Sequence, residues 1–105
     1  MNVRELMDKT GLESLVLPDG EKKINGGYAG DLLSWVMGRA EEGDAWVTIM
    51  SNINVVAVAS LRDVACVILA ENSDIDKETL EKAEAEGVNI LRSAKSTFAL
   101  CAEIA

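Results

Sequence analysis

The sequence predicts a three-layer α/β/α fold, in which a mostly parallel sheet of about four strands lies between two layers of helices. Short apolar segments alternate with helical segments, and the connections between them are only a few residues long. The segment Ala65–Ala70 is apolar at consecutive positions, as expected of a central strand that is buried on both faces. At 105 residues the chain is long enough for one core, so we expect a single domain over residues 1–105.

The first half of the chain begins with a predicted helix over Asn2–Lys9, because Asn2 is a good N-cap and Gly11 a good stop. Lys22–Asn25 is a candidate for a short edge strand. The other predicted elements of this half are a strand at Ser14–Leu17, a helix from about Ala29 to Glu41 and a strand at Ala45–Met50.

The segment Asn54–Ser60 is ambiguous. Its three valines favour a strand, but polar capping residues precede it and its alanines suit a helix. A helix over Asn52–Leu61 would also separate two strands that are otherwise nearly contiguous, so we favour it. The alternative is a third strand that forms a hairpin.

The second half of the chain continues the alternation of strands and helices. The strand Ala65–Ala70 is followed by a solvent-exposed helix at Asp76–Glu86, for which Gly87 is the stop. Val88–Leu91 is the next predicted strand, and the last helix begins at Ser96 or Thr97.

Composition excludes several classes of function. The net charge of −8 and the lack of a basic cluster argue against nucleic acid and membrane surfaces as partners. The chain has no histidine, which removes histidine-dependent nucleophiles and histidine-ligated zinc, so we expect no enzyme. The acidic stretch Glu71–Glu86 fits no calcium-loop spacing, and we expect neither a metal nor a cofactor. Cys66 and Cys101 lie in apolar runs and are predicted to be reduced, in a cytoplasmic protein without a signal peptide.

Four segments in order along the chain resemble the DRTGG domain family. They are Gly26-Gly-Tyr-Ala-Gly-Asp-Leu-Leu-Ser34, Trp46-Val-Thr-Ile49, Asn54-Val-Val-Ala-Val-Ala59 and Ser96-Thr-Phe98. The resemblance covers the chain from about Val3 to Ile104. The literal Asp-Arg-Thr-Gly-Gly motif is absent, and Asp8-Lys-Thr-Gly11, which looks similar, falls where a helix is predicted to stop.

The resemblance to DRTGG domains carries expectations about fold and role. It implies a fold like that of the N-terminal domain of HPr kinase/phosphorylase, with a helix at Asn54–Ser60. Members of the family usually act as regulatory or accessory modules beside an enzyme. The resemblance implies no kinase activity, because the kinase P-loop lies in a domain that this chain lacks.

The first candidate site is the glycine cluster Gly26/Gly27, together with Asp31 and Ser34. Backbone amides after Gly27 would cradle a phosphate or carboxylate at the N-terminus of the following helix. In the structural alternative, the glycines only permit a turn and Asp31 favours the first helical turn. The Walker pattern is absent, and Asp31 would itself repel an anion.

The second candidate site lies in the loops that follow the strands. Asn52 and Asn54 come directly after a buried strand, where open α/β sheets bind ligands, and they could hydrogen-bond a base or a sugar. Ser96 and Thr97 follow a later strand in the same way. In the structural alternative, these residues cap the next helices. If the topology is as predicted, these loops share one rim of the sheet.

Two functions are consistent with these features. The first is a non-catalytic regulatory or accessory module that acts by protein–protein contact, works on a partner enzyme and forms a homodimer. Trp35, which lies among polar neighbours on its helix, is the candidate interface residue, with core packing as the alternative. The second is a sensor that binds a nucleotide or a phosphorylated metabolite at the loops after the strands.

Overall fold

The computed structural model describes all 105 residues and contains five helices and five strands. In chain order they are α1 (Val3–Thr10), β1 (Glu13–Val16), β2 (Gly26–Ala29), α2 (Leu33–Arg39), β3 (Asp44–Thr48), α3 (Ile53–Arg62), β4 (Cys66–Leu69), α4 (Lys77–Glu86), β5 (Ile90–Arg92) and α5 (Thr97–Ile104). The predicted alternation of strands and helices is confirmed.

The sheet has the order β1-β5-β4-β3-β2, and all neighbouring strands are parallel except β1, which is antiparallel to β5. Each step from β2 to β5 moves one place along the sheet, so the right-handed crossover rule puts α2, α3 and α4 on one face. Helix α3 contacts both α2 and α4, while α1 contacts α5 on the other face. The three-layer architecture is confirmed, with five strands rather than about four.

Local capping explains where most helices begin and end. Helix α1 has a capping box, in which the Asn2 side chain accepts from the Glu5 amide and the Glu5 carboxylate accepts from the Asn2 amide, both at 2.8 Å. The Asn52 side chain accepts from the Asn54 amide at the start of α3, and the Ser96 hydroxyl accepts from the Ala99 amide at the start of α5. Because Asn52 starts a helix, the hairpin alternative for Asn54–Ser60 is wrong.

The segment Gly26–Ala29 is the main difference from the predicted elements. It forms strand β2, which pairs in parallel with β3, and helix α2 begins only at Leu33. Neither Gly26 nor Gly27 has a positive φ, so these glycines do not make the predicted sharp turn. The edge strand proposed for Lys22–Asn25 is reduced to one isolated bridge between Asn2 and Lys23.

Two apolar cores lie on the two faces of the sheet. The core under α2, α3 and α4 is built around Trp46, Val67 and Ile90. The core under α1 and α5 contains Ile68 and Leu91. Successive side chains of the central strands point to opposite faces of the sheet. Because both faces are covered by an apolar core, these strands are apolar at consecutive positions.

The cysteines are both free, as predicted, but they differ in burial. Cys66 is fully buried in β4, and burial raises the pKa of its thiol from 9.0 to about 12, against a smaller lowering by the positive charge of Lys22. Cys101 is only partly buried.

None of the five helices is both long and apolar enough to cross a bilayer.

Candidate carboxyl-edge site

The loops that follow the parallel strands meet at one edge of the sheet, which we call the carboxyl edge. The Glu71 amide, just after β4, donates to the Lys95 carbonyl after β5 at 2.9 Å, and the Asn72 amide donates to the Ser93 carbonyl at 2.8 Å. The Ser51 hydroxyl after β3 donates to the Asp74 carbonyl. The loops therefore form the shared rim that the sequence predicted.

Asp31 joins the loop after β2 to the end of β3. Its carboxylate accepts a hydrogen bond from the Thr48 hydroxyl at 2.8 Å and one from the Ile49 amide at 2.9 Å. Helix α2 has no side-chain cap, and its N-cap residue is Leu32. Asp31 thus lies on the rim, where it anchors the neighbouring strand rather than charging the helix start.

Gly26 and Gly27 are not part of the rim. They open β2, in register with Asp44 and Ala45 at the start of β3, and so lie at the opposite end of the strand from Asp31. The three rises from Gly26 to Ala29 alone amount to about 10 Å. The glycine amides therefore do not lead directly into α2, and anion binding at Gly26 and Gly27 stays a prediction. Ser34 is exposed in the first turn of α2.

A polar pocket of about 410 Å³ lies on the rim between the loops after β3 and β4. Its lining residues are Ser51, Asn52, Asp74, Ile75 and Asp76. We call this the polar pocket. The structure brings Asn52 into it, whereas Asn54 is exposed and contributes its backbone amide to the Asn52 cap at 2.9 Å.

The polar pocket is acidic. Hydrogen bonds from the Thr79 side chain, and then from its backbone amide, lower the pKa of the Asp76 carboxyl, so this group is negatively charged at neutral pH. Asp74 is exposed beside it. An uncoordinated phosphate would be repelled here, whereas a ribose or an amide would find acceptors.

Ser96 and Thr97 begin α5 after β5. The Ser96 hydroxyl accepts from the Ala99 amide at 3.1 Å, so the capping alternative accounts for this side chain. Neither residue lines the polar pocket. The rim therefore includes these residues, but the structure does not bring them together with Asn52.

Four exposed hydrophobic side chains lie in the loops and first helical turns at the carboxyl edge. Trp35 is 53% exposed, with the Arg39 guanidinium stacked 3.8 Å from its ring centroid. Leu32, Ile49 and Ile53 are 59%, 45% and 41% exposed at the same edge. We call these four residues the apolar patch. Trp35 is the one residue of the patch that the sequence singles out, because the exposure of the other three depends on how α2 and α3 pack.

Trp46 has the opposite environment. It is fully buried in β3, and its indole N–H donates to the Gly30 carbonyl at 2.9 Å.

The Asp, Glu and Cys side chains form no cluster of three or more that would hold a metal ion.

A solved structure shares this fold. It is the crystal structure of the CBS and DRTGG domains of the regulatory region of Clostridium perfringens pyrophosphatase, complexed with the activator diadenosine tetraphosphate. The similarity has a TM-score of 0.73 at 13% sequence identity, and it covers 98% of this chain and 45% of that one. The present chain thus spans less than half the length of that protein. No curated protein sequence matches it.

The sequence of the chain also matches a family model, in agreement with the structural similarity. The model of the DRTGG domain matches residues 29–105, from the end of β2 to the last residue of the chain. The match includes the whole rim from Asp31 onward, together with the apolar patch and the polar pocket. The relationship to the N-terminal domain of HPr kinase/phosphorylase, which the resemblance implies, stays a prediction. The chain belongs to the DRTGG domain family.

Proposed function

We propose that this chain is a non-catalytic regulatory or accessory module of the cytoplasm, that it acts on a partner enzyme by protein–protein contact, and that it forms a homodimer. The apolar patch is the observation that carries the proposal. Exposed aromatic and aliphatic side chains with polar surroundings are typical of protein-binding surfaces, and Trp and Arg are the residues enriched at their centres. Trp35 belongs to the patch, and the Arg39 guanidinium stacks on its ring, so one residue of each type is present there.

The two groups whose pKa values are shifted have structural causes for the shift. Burial raises the pKa of the Cys66 thiol, and hydrogen bonds from Thr79 lower the pKa of the Asp76 carboxyl. Cys66 is sealed inside the sheet, and Asp76 caps α4. Catalytic groups are instead expected to have pKa values near neutrality in a cleft.

Site-specific photocrosslinking tests the contact. A photoreactive residue at position 35 is expected to crosslink one enzyme in cells, whereas the same residue at position 61 crosslinks none. Leu61 is a matched control, because it is 72% exposed but lies near the end of α3, away from the carboxyl edge. Adding the purified chain should then change the kcat or KM of that enzyme, and Trp35→Ser should abolish the change. Equal crosslinking at both positions, or no kinetic effect, would contradict the proposal.

The alternative function is a small-ligand sensor for a nucleotide or a phosphorylated metabolite. Two observations favour it: the polar pocket lies where α/β sheets bind ligands, and the pyrophosphatase regulatory region with this fold binds diadenosine tetraphosphate. Because the pocket is acidic, we expect it to bind the nucleoside part, with the phosphates directed to solvent.

Thermal unfolding in the presence of adenosine, ATP and diadenosine tetraphosphate tests the sensor. A ligand present at 100 times its Kd should add about 2.7 kcal/mol to the free energy of unfolding. Asp74→Ala should reduce this gain, whereas Glu78→Ala, on the exposed surface of α4, should leave it unchanged. If none of the three ligands raises the Tm, the sensor function is excluded for adenine nucleotides.

A further inference from the structure

Strand β2 is an open edge of the sheet. It is the last strand in the order, so one side of its backbone has no strand partner. Gly26–Ala29 has no charge, no proline and no register shift, and three of its four residues are exposed. Charged side chains, prolines and bulges protect many natural edge strands from pairing with another chain, and β2 has none of these three.

The other edge is protected. In β1, Glu13 forms an ion pair with Arg92 at 3.2 Å, and the register shifts between Ser14 and Val16. Pro18 lies two residues after the strand. A charge, a bulge and a nearby proline each discourage pairing by a further strand, so the openness of β2 is not a general property of this sheet.

The chain covers the segment before β2 but stops short of β2 itself. The Ile24 amide donates to the Met1 carbonyl at 2.9 Å, and Asn2 forms a bridge with Lys23. This backbone contact occupies the chain up to Ile24. The open edge therefore begins at Gly26.

An apolar groove borders the open edge on the face of α1 and α5. Gly27 and Ala29 are in register with Ala45 and Val47, which belong to the core of that face. Because α1 and α5 leave β2 uncovered, a cavity of about 540 Å³ remains there. Ten of its thirteen lining residues are hydrophobic. We call this the β2 groove.

We infer that β2 pairs in antiparallel fashion with β2 of a second copy of this chain, so that the two sheets become continuous. The inference rests on the homodimer of the proposed function and specifies its surface. Charge complementarity points to a second copy. Lys23 lies three residues before β2 and Asp31 two residues after it, and both are exposed. Antiparallel pairing brings the lysine end of each copy to the aspartate end of the other, twice by symmetry.

The pairing also completes the β2 groove. The two-fold axis of an antiparallel strand pair is perpendicular to the sheet, so both copies present the same face to the same side. The two grooves then meet at the axis and form one apolar trough. A pairing of four residues from each copy makes a small interface, so we expect a weak dimer with a Kd of roughly 1–100 μM.

Sedimentation equilibrium from about 10 μM to 1 mM tests the pairing over the range of a weak interface. The wild type should dimerise, and Ala29→Lys should weaken dimerisation at least about tenfold, because each copy adds a charge at one end of the paired segment. Ser14→Lys places the same charge on the β1 edge and should have no effect. Gly27→Lys is the second variant, since a Cβ there would be 3.4 Å from the Ala45 carbonyl oxygen, an ordinary contact.

The outcomes separate the pairing from the wider proposal. In the wild type, amide exchange at Gly26–Ala29 should slow as the concentration rises. A dimer that survives both lysine variants would overturn the β2 pairing and leave the homodimer standing. If the wild type is a monomer throughout the range, both the β2 pairing and the homodimer are overturned. The same holds if it dimerises only when an extended peptide is added. The enzyme contact at Trp35 is tested separately by crosslinking.

Discussion

Replacing Trp46 with alanine is expected to lower the free energy of unfolding by about 3–5 kcal/mol, the range for large aromatic side chains in a close-packed core. The side chain is fully buried in the core under α2, α3 and α4. It lies in register with Tyr28 on one side and Val67 on the other, so a cavity at this position would affect three adjacent strands. The loss would also leave the Gly30 carbonyl without its indole donor.

The chain provides its own control for this substitution. Trp35→Ala removes the same side chain from an exposed position, and we expect it to cost less than about 1 kcal/mol. Trp46→Phe keeps most of the volume and separates the hydrogen bond from the packing. Urea denaturation should be followed by far-ultraviolet circular dichroism, because the variants alter the fluorescence. Equal losses for Trp46→Ala and Trp35→Ala would contradict the packing of β3 described above.

Replacing Asn89 with alanine should cost about 2–4 kcal/mol, because it leaves several buried polar groups without partners. Asn89 is buried, and its amide group holds a distant turn in place. Its oxygen accepts from the Asp19 amide at 2.9 Å, and its nitrogen donates to the Asp19 carbonyl at 2.7 Å and to the Ala65 carbonyl at 2.9 Å. The side chain therefore connects the turn after β1 to the starts of β4 and β5.

A conservative variant sharpens the second prediction. Asn89→Asp keeps the acceptor for the Asp19 amide but loses both donors and places a charge against two carbonyls, so it should destabilise at least as much as alanine. Asn54→Ala, at an exposed position, should change stability by less than about 0.5 kcal/mol. Amide exchange at Asp19 should accelerate in Asn89→Ala, which removes the acceptor of the Asp19 amide. Unchanged exchange there would show that another contact holds the turn.

Local signals in the sequence were sufficient for most of the architecture. The caps at Asn2, Asn52 and Ser96 placed the starts of three helices, and the left-handed glycines Gly11 and Gly87 marked two helix ends. The doubtful segment after Asn52 was assigned correctly because capping residues outweighed the strand propensity of its valines. Each of these features acts within four residues, and so it is visible in the sequence.

Strand β2 was missed because its stability is not local. Gly-Gly-Tyr-Ala has little intrinsic preference for a strand, and glycine pairs usually indicate turns. Pairing with Asp44–Val47 decides the conformation, as β3 supplies a parallel partner. The antiparallel placement of β1 was missed for a similar reason, since no helix connects it to β2 and the order of the sheet depends on long-range contacts.

The candidate site was predicted in outline but not in its contacts. The gathering of loops at one edge follows from parallel topology, and the exposure of Trp35 was one of two alternatives. The contact of Asp31 with Thr48 joins residues 17 positions apart and has no sequence signal. Leu32 and Ile49 looked like ordinary core residues, because hydrophobicity alone does not show which side of a loop faces solvent.

The two hydrogen bonds of Asp31 have a consequence for binding. They clamp the backbone beside Leu32 to the backbone of Ile49, so the two halves of the exposed hydrophobic surface are held in fixed relation before any partner arrives. A pre-organised surface loses little conformational entropy on association, and more of the contact energy then appears as affinity. Breaking this clamp would therefore weaken recognition even though no contacting side chain had been changed.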